Sequence, residues 1–109
     1  MKNLIFAIIE KHTISEEVLE SLSKAGYNGT VVPSTSLKHA ILDHGEAPMF
    51  FNLSHLDEES FENNTTLFIV VDEEKTENVL NIIREHTKNF TLSHGGMFVT
   101  PLTSFEGSF

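Results

Sequence analysis

Histidine and acidic side chains are concentrated in one part of this sequence, the segment from Lys38 to Asn64. It contains His39, Asp43, His44, His55 and Asp57. Imidazole and carboxylate groups can bind zinc or copper, but such a site needs three or four ligands that converge at about 2.0–2.3 Å from the metal. The spacing does not force this convergence, because positions 39 and 44 do not share a helix face. A metal site is therefore one hypothesis, and polar histidines on an exposed loop are the alternative.

Hydroxyl groups and a glycine pair form a second candidate site. Ser34, Thr35 and Ser36 follow Pro33 at the end of a predicted strand, and the pair Gly95-Gly96 precedes the last run of apolar residues. Glycine lets backbone N–H groups approach an anion closely. If the two stretches meet across a subunit boundary, they form a small cleft suited to a phosphate. The alternative is that the hydroxyls satisfy a bulge and the glycines make a turn.

The remaining side chains favour structural or binding roles over catalysis. His86 falls on the apolar face of a predicted helix, as a hydrogen-bonded boundary residue, and His94 is expected in an exposed turn. Phe50 and Phe51 could anchor a partner, stack on a base or pack on a sheet. No Ser–His–Asp arrangement is indicated, and the carboxylates fall at helix starts and on solvated faces. We therefore expect a protein without enzymatic activity.

The composition narrows the class of protein further. The chain has 109 residues, of which 39% are hydrophobic, enough for one core and a single domain over residues 1–109. It has no cysteine, which excludes disulfides and thiolate metal sites. A net charge of -9 argues against nonspecific nucleic-acid binding. The apolar run from Leu4 to Ile9 is too short for a signal peptide, and none reaches the ~20 residues of a membrane span, so a cytoplasmic protein is expected.

Hydrophobic periodicity predicts strands and helices in alternation. The predicted elements in order are a strand from Leu4 to Ile9, a helix over 12–26, a strand from Tyr27 to Leu37, a strand from Thr65 to Val71, a helix over 72–88 and a final pair of short runs over 89–102. The glycine pair between those last runs favours a hairpin. This order is that of an α+β, ferredoxin-like βαβ-βαβ fold, with an antiparallel sheet, two helices on one face and a long loop between strands two and three.

Local patterns predict where the two helices start, end and face the core. Thr13 or Ser15 is expected to cap the first helix, Glu16 and Glu17 to lie in its first turn, and Gly26 to end it with a positive φ. The apolar helix faces comprise Val18, Leu19, Leu22 and Ala25 in the first and Val79, Ile82, Ile83 and His86 in the second.

Two helices can cover only one face of such a sheet, yet the first and third strands are apolar on both. All residues from Leu4 to Ile9 and from Leu67 to Val71 are apolar, with no polar alternation. An exposed patch of this size is unusual on a monomer. We therefore expect other copies of the chain to cover the open face in a closed homo-oligomer, with ligand clefts between subunits. The alternative is that Phe50 and Phe51 fold back over it.

Several stretches together resemble the PII signalling protein superfamily, which includes nitrogen regulatory PII proteins, cyclic-di-AMP receptors and CutA-like proteins. They are MKNLIFAII, EEVLESLSKAGYNGTVV, VVDEEKTENVLNIIRE and GGMFVTPL, and the closing G-x-x-F-V-x-P is the most specific. The resemblance implies a ferredoxin-like trimer that binds a small effector, a nucleotide above all, between subunits. It also implies that residues 38–64 correspond to the T-loop and contact a protein partner through His44, Phe50, Phe51 and His55.

The resemblance implies a set of ligand-binding residues and no cofactor. The set is Thr30, Ser34, Thr35, Ser36, Leu37, Asn64, Thr65, Gly95, Gly96 and Phe98. The Asn-Thr-Thr stretch before strand three and the glycine pair fit the cyclic-di-AMP branch, which makes cyclic-di-AMP a candidate effector. Gly96 stands where classical PII proteins carry a phosphate-gripping lysine, and Tyr27 is the only tyrosine. The resemblance therefore does not extend to that lysine or to uridylylation of a T-loop tyrosine.

Three functions follow as hypotheses. The first is a non-enzymatic, PII-like regulator whose effector acts on a partner through the 38–64 loop. The second is a CutA-like trimer that handles metals through the loop histidines. The third is an oligomeric scaffold without a ligand.

Overall fold

The chain folds into four strands and two α-helices in the alternating order that the sequence predicts. The structure is a computed structural model that describes residues 1–37 and 64–109. The elements are β1 (Lys2–Ile9), α1 (His12–Lys24), β2 (Thr30–Ser34), β3 (Asn64–Asp72), α2 (Thr76–Thr87) and β4 (Gly95–Leu102). A short 3-10 turn, Glu73–Lys75, joins β3 to α2.

The strands form one antiparallel sheet with β1 and β3 at its centre. The strand order is β2-β3-β1-β4, which is the ferredoxin-like topology. Each pairing is antiparallel, and Ile9 lies between Thr65 on one side and Gly95 on the other. Pro33 belongs to the edge strand β2, where its missing N–H removes no hydrogen bond from the sheet interior. The predicted α+β fold is therefore confirmed.

The core lies between the two helices and one face of the sheet. Side chains alternate between faces along a strand, so every second residue of β1 and β3 points towards the helices. The buried apolar residues of the core are Ile5, Ala7, Ile9, Ile14, Val18, Leu22, Leu67, Ile69, Val71, Val79, Leu80 and Ile83. Burial of one such isoleucine or valine side chain contributes roughly 1.5–3 kcal/mol, which makes this layer the main stabilising element of the chain.

The opposite face of the sheet, here called the open face, is apolar as well. Its strand register brings Phe68, Phe6 and Phe98 into one row across β3, β1 and β4. The rings of Phe6 and Phe68 meet edge to face with centroids 4.7 Å apart, and those of Phe6 and Phe98 stack at 4.7 Å. Phe98 remains 57% exposed. The described residues therefore leave apolar surface uncovered here.

The start of α1 differs from the prediction. Lys11 is the N-cap and makes no side-chain cap hydrogen bond, and no acidic residue lies in the first turn. Ser15 does not cap the helix because its hydroxyl is buried and donates to the carbonyl of His12 at 2.8 Å. The predicted roles of Thr13, Ser15, Glu16 and Glu17 are therefore wrong. The predicted end is confirmed, since Gly26 follows the helix with a φ of 89°.

The predicted extent of the second strand is also too long. Tyr27 and Gly29 precede β2, and a Cβ on Gly29 would lie 2.5 Å from the carbonyl oxygen of Phe68. The close approach of this stretch to β3 leaves room only for glycine. Ala25 is exposed and does not belong to the apolar face of α1.

The predicted hairpin at the glycine pair is wrong. Gly95 and Gly96 are the first residues of β4 and pair with Ile9 and Ile8 of β1. The chain reverses earlier, through Lys88, Asn89 and Phe90, whose φ values are 52°, 56° and 60°. Such left-handed conformations are uncommon outside glycine, so a sequence pattern does not reveal them.

Candidate functional site

Hydroxyl groups gather where the chain enters and leaves the 38–63 segment. Ser34 and Asn64, the last residue of β2 and the first of β3, face each other in the sheet register. The Ser34 and Thr66 hydroxyl oxygens are 2.8 Å apart on the open face, whereas Thr65 points towards the helices and donates to Ser15 Oγ at 3.1 Å. Residues 64–66 are all buried. Antiparallel pairing therefore brings together predicted ligand residues that are thirty positions apart in the sequence.

Thr35 is the one described residue with a buried side-chain oxygen or nitrogen atom that lacks a hydrogen-bond partner. A buried hydroxyl without a partner costs about 1–3 kcal/mol, a cost that a hydrogen bond to a ligand would remove. Its neighbours Ser36 and Leu37 are exposed. The predicted hydroxyl cluster thus contains a donor whose bonding capacity the described part of the chain leaves unused.

A stripe of side chains on the open face connects this cluster to a second predicted residue. Thr30 and Ser34 point to the same face of β2, because they are separated by an even number of positions. Across the strand pair they face Phe68 and Asn64. Four residues of extended chain measure about 13 Å. This stripe is long enough to hold a nucleotide-sized molecule.

A cavity of about 300 Å³ lies at the Thr30 end of the stripe. Its lining residues are Leu4, Asn28, Gly29, Thr30, Phe68, Val70, Ser108 and Phe109. Aliphatic and aromatic side chains form its floor, and the amide of Asn28 and the hydroxyl of Thr30 provide hydrogen-bonding groups. An apolar surface with a few polar groups is typical of sites for small ligands, which start at about 300 Å³.

Ser108 and Phe109, which follow β4, form the outer wall of this cavity, and Lys2 contacts the same part of the chain. Lys2 Nζ donates to Asp72 Oδ1 at 2.7 Å and lies 5.7 Å from the centroid of the Phe105 ring. The hydrogen bond from Lys2, together with its positive charge, holds the pKa of Asp72 below the ordinary value for an aspartate. Lys2 thus links the end of β3 to the chain that follows β4. The rings of Phe105 and Phe109 meet edge to face at 6.1 Å.

The glycine pair is not next to the hydroxyl cluster. Gly95, Ile9, Thr65 and Pro33 lie in one row across the sheet, so the glycines and the cluster are at the same end but on opposite edges. Three strand spacings separate them by about 14 Å. A single chain therefore does not form the predicted phosphate cleft from both groups.

The turn before β4 has its own cavity of about 320 Å³, lined by Glu10, Lys11, Phe90, Thr91, Leu92, Ser93 and His94. Ser93 Oγ accepts hydrogen bonds from the backbone N–H groups of Glu10 and Lys11 at 3.0 and 3.1 Å. His94 is exposed, as predicted. His86 is partly buried and lies 2.7 Å from the Ser21 hydroxyl, which confirms it as a hydrogen-bonded boundary residue.

Several cavity residues escape prediction from the sequence. Leu4, Val70 and Phe109 are apolar residues in three separate segments, and only the strand register shows that they are neighbours. Asn28 follows a helix end and is typical of a turn. No residue type or spacing in these segments distinguishes a cavity lining from ordinary core.

The candidate partner and metal residues fall outside the described residues. His39, His44, Phe50, Phe51 and His55 all lie within 38–63. In residues 1–37 and 64–109, no group of three or more histidine, aspartate or glutamate side chains is placed to hold a metal ion. In the same ranges, no helix is long and apolar enough to cross a bilayer.

Comparisons with known proteins agree with this architecture. The sequence profile of the family described as "Nitrogen regulatory protein P-II" matches residues 1–107. No curated protein matches the chain. A functionally unknown protein from Pediococcus pentosaceus ATCC 25745 superposes with a TM-score of 0.60 and 15% identity, over 98% of this chain and 97% of its own. Arabidopsis thaliana PII bound to citrate superposes with a TM-score of 0.55 and 20% identity, over 93% of this chain and 74% of its own. At these identities the structural likeness concerns the fold alone.

Proposed function

Because the chain belongs to the nitrogen regulatory protein P-II family, we propose that it is a non-enzymatic regulator, a single domain over residues 1–109 that binds a small effector and signals to a protein partner through residues 38–64. The observation that carries this proposal is the hydroxyl cluster at Ser34 and Asn64, which lies where that segment joins the sheet. A molecule bound there contacts both ends of the segment. Its binding energy can therefore favour one arrangement of the segment over others.

A nucleotide is the effector class that best fits the stripe. The cavity at Thr30 offers an apolar floor for a planar base, with the Asn28 amide and the Thr30 hydroxyl on its lining. The far end of the stripe offers the hydroxyl of Ser34, and the buried hydroxyl of Thr35 follows it in the chain. Cyclic-di-AMP is a candidate because the stretch Asn64–Thr66 and the pair Gly95-Gly96 resemble the cyclic-di-AMP branch of the superfamily. Citrate, which the Arabidopsis PII structure contains, adds a small polyanion to the compounds worth testing.

A homotrimer is the proposed assembly. Phe6, Phe68 and Phe98 leave apolar surface on the open face, and burial of such surface is the usual driving force of association. The charge distribution also favours the open face as the interface between copies. The chain has a net charge of -9, and the exposed sides of α1 and α2 carry glutamates. The open face of the strands has only the paired charges of Lys2 and Asp72, so copies can approach there with the least repulsion.

A thermal-shift panel with ATP, ADP, AMP, cyclic-di-AMP, citrate, zinc and copper tests the effector class. A ligand present at 100 times its Kd stabilises a protein by ~2.7 kcal/mol, which raises the melting temperature by several degrees in a domain of this size. A response to a nucleotide supports the regulator. A response to metal alone favours the CutA-like alternative, and no response to any compound contradicts the effector proposal.

The variant Thr35→Val locates the site. Valine keeps the shape of threonine, and the lost hydroxyl has no partner in the described part of the chain, so the free energy of unfolding should not fall. Affinity for the effector should fall roughly 2- to 13-fold, the equivalent of one neutral hydrogen bond. Thr91→Val is the matched control, since the Thr91 hydroxyl donates to the Lys88 carbonyl within its own turn. Equal affinity of both variants and the wild type would place the effector elsewhere.

Limited proteolysis tests the signalling step. If the effector orders residues 38–64, saturating effector should slow cleavage within this segment, and Thr35→Val should need more effector for the same protection. If the cleavage rate is unchanged with the effector bound, binding does not order the segment, and the signalling step is contradicted.

A further inference from the structure

A serine, a histidine and a glutamate meet on the outer seam between α1 and α2. The Ser21 hydroxyl oxygen lies 2.7 Å from His86 Nε2, and His86 Nδ1 lies 3.6 Å from Glu17 Oε2. Glu17 and Ser21 are one turn apart on α1, whereas His86 belongs to the last turn of α2, 65 positions after Ser21. The packing of the two helices thus assembles a Ser–His–Glu arrangement that the sequence does not indicate.

The neighbours of His86 decide which ring nitrogen carries the proton of the neutral imidazole. A carboxylate accepts hydrogen bonds and donates none, so the proton belongs on Nδ1, the nitrogen that faces Glu17. Nε2 then offers a lone pair to the Ser21 hydroxyl. The 3.6 Å separation is longer than a hydrogen bond, and such contacts often tighten when a substrate is present. A serine bonded to a base that a third group orients is the signature of an activated nucleophile.

A serine within a helix does not need a histidine to satisfy its hydroxyl. Ser15 on the same helix donates to the carbonyl of His12 at 2.8 Å. The Ser21 hydroxyl instead bonds across the seam. Ser21 is half-buried and the His86 side chain is 25% exposed, so the pair lies at the surface. Because the helices cover the side of the sheet opposite the open face, association through the open face leaves this seam accessible.

We propose that Ser21 is a modification site, a nucleophile that takes up an acyl group from an activated ester or thioester, with His86 as its general base and Glu17 as a positioning residue. Ser21 Oγ attacks the carbonyl carbon while its proton passes to His86 Nε2. The bond from that carbon to the leaving oxygen or sulfur then breaks, and the leaving group takes up the proton from His86. The products are an ester of Ser21 and a free alcohol or thiol. The inference goes beyond the proposed function and does not depend on it.

The helix around Ser21 favours a lasting modification over turnover. Hydrolases of the acyl-transfer type stabilise the oxyanion of the tetrahedral intermediate with unpaired N–H groups. Ser21 lies inside α1, His12–Lys24, where each backbone N–H donates to the carbonyl one turn earlier, so the local backbone offers no such donor. An activated donor can still react with the serine, whereas the resulting alkyl ester is less activated and hydrolyses slowly. The acyl group should therefore stay on Ser21, in keeping with a non-enzymatic protein.

Acetylation of the folded wild-type protein with p-nitrophenyl acetate tests the proposal. Fragmentation mass spectrometry locates the acetyl groups and follows the modification of each serine over time, apart from any reaction of lysine amines. We expect acetylation at Ser21 well before Ser23, which is an exposed serine on the same helix. The acetyl group on Ser21 should persist after the ester is removed.

Three variants test the assigned roles. His86→Gln removes the base and should slow the acetylation of Ser21 about 100-fold or more. Glu17→Gln keeps the shape but removes the charge, and it should slow the reaction about 1.4- to 5-fold, the equivalent of an exposed charge pair. A merely structural role of Glu17 would change the melting temperature instead of this rate. The matched control is Ser23→Ala, in which Ser21 should react at the wild-type rate.

Two results would overturn the inference. Equal acetylation rates at Ser21 and Ser23 of wild type would show that Ser21 is not activated, and this comparison needs only the folded wild type. Equal rates at Ser21 in wild type and a folded His86→Gln variant would show that His86 does not act as a base. Neither result bears on effector binding, which the thermal-shift panel tests separately.

Discussion

At the scale of single residues, buried hydroxyl groups complete the hydrogen bonding at the ends of helices and strands. Thr87 is fully buried at the end of α2, where its hydroxyl donates to the carbonyl of Ile83 at 2.9 Å and accepts from the backbone N–H of Phe90 at 3.1 Å. Its own carbonyl accepts from Thr91 and Leu92. One residue thus holds the left-handed turn that leads into β4.

Thr87→Val should destabilise the protein more than the small change in side-chain size suggests. The variant keeps the shape but leaves the N–H of Phe90 without its partner, which costs about 1–3 kcal/mol of the free energy of unfolding. Urea denaturation measures this loss. Thr91→Val is the control, since the Thr91 hydroxyl is exposed and an exposed substitution usually changes stability by less than about 0.5 kcal/mol. Equal losses in the two variants would contradict the anchoring role of Thr87.

The Lys2–Asp72 pair gives a prediction about pH. Because the pKa of Asp72 is lowered in the folded state, mainly by the Lys2 hydrogen bond, the pair stabilises the fold above the ordinary aspartate pKa, and this contribution is lost as pH falls through the lowered value. Lys2→Met should raise the pKa of Asp72, as an NMR titration would show. Wild type and variant should differ in stability at neutral pH and converge in strong acid. If the difference in stability persists in strong acid, it comes from packing of the Lys2 side chain on Phe105 and not from the ion pair.

At the scale of elements, the entry into β4 depends on a single glycine. Gly95 has a φ of 129°, and a Cβ at this position would lie 1.9 Å from the carbonyl oxygen of Ile8. Gly96 has no atom within 4 Å of the corresponding position. The two glycines of the pair therefore have different roles, which their sequence does not distinguish.

Gly95→Ala should disturb the β1–β4 pairing, and Gly96→Ala should not. An L-residue in the Gly95 conformation costs about 1–3 kcal/mol, before the clash with the Ile8 carbonyl is counted. Amide hydrogen exchange of β4 should then accelerate together with a fall in the melting temperature. If Gly95→Ala behaves like Gly96→Ala in both measurements, β4 does not begin at this residue.

At the scale of the whole molecule, charge and apolar surface are segregated in the part of the chain that the structure describes. The helical layer carries exposed glutamates, and the open face carries the aromatic row of Phe68, Phe6 and Phe98. A strongly acidic chain repels its own copies except where it lacks negative charge. This separation supports association through the sheet, in keeping with the proposed trimer.

Phe98→Asp should dissociate the assembly. The substitution places a charge in the middle of the aromatic row, where an unpaired carboxylate cannot be buried at acceptable cost. Light scattering coupled to size exclusion should show a monomer for this variant and a trimer for wild type. Leu92→Asp adds the same charge to an exposed apolar position away from the open face. A monomeric wild type, or a trimeric Phe98→Asp variant, would contradict association through this face.

The limits of sequence-based prediction follow from how far apart the interacting residues lie. Strand and helix order, the apolar faces except for Ala25 and the positive φ at Gly26 depend on neighbours within a few positions, and these predictions are confirmed. The predicted cap at Thr13 or Ser15 is wrong because Ser15 is buried against Thr65, some fifty positions away. The hairpin is wrong because the glycines pair with β1, at the other end of the chain. Local patterns carry no information on either contact.

The sequence by itself determined the ferredoxin-like order of elements, the excess of apolar residues in β1 and β3, and the hydroxyls that flank the long segment. Only the tertiary structure decided that Thr30 and Ser34 pair with Phe68 and Asn64, that Phe109 and Thr30 line the same cavity, and that the glycine pair lies on the opposite edge of the sheet. The physical reason is register. Periodicity sets which side of a strand a residue faces, but hydrogen bonding between distant strands sets which residues become its neighbours.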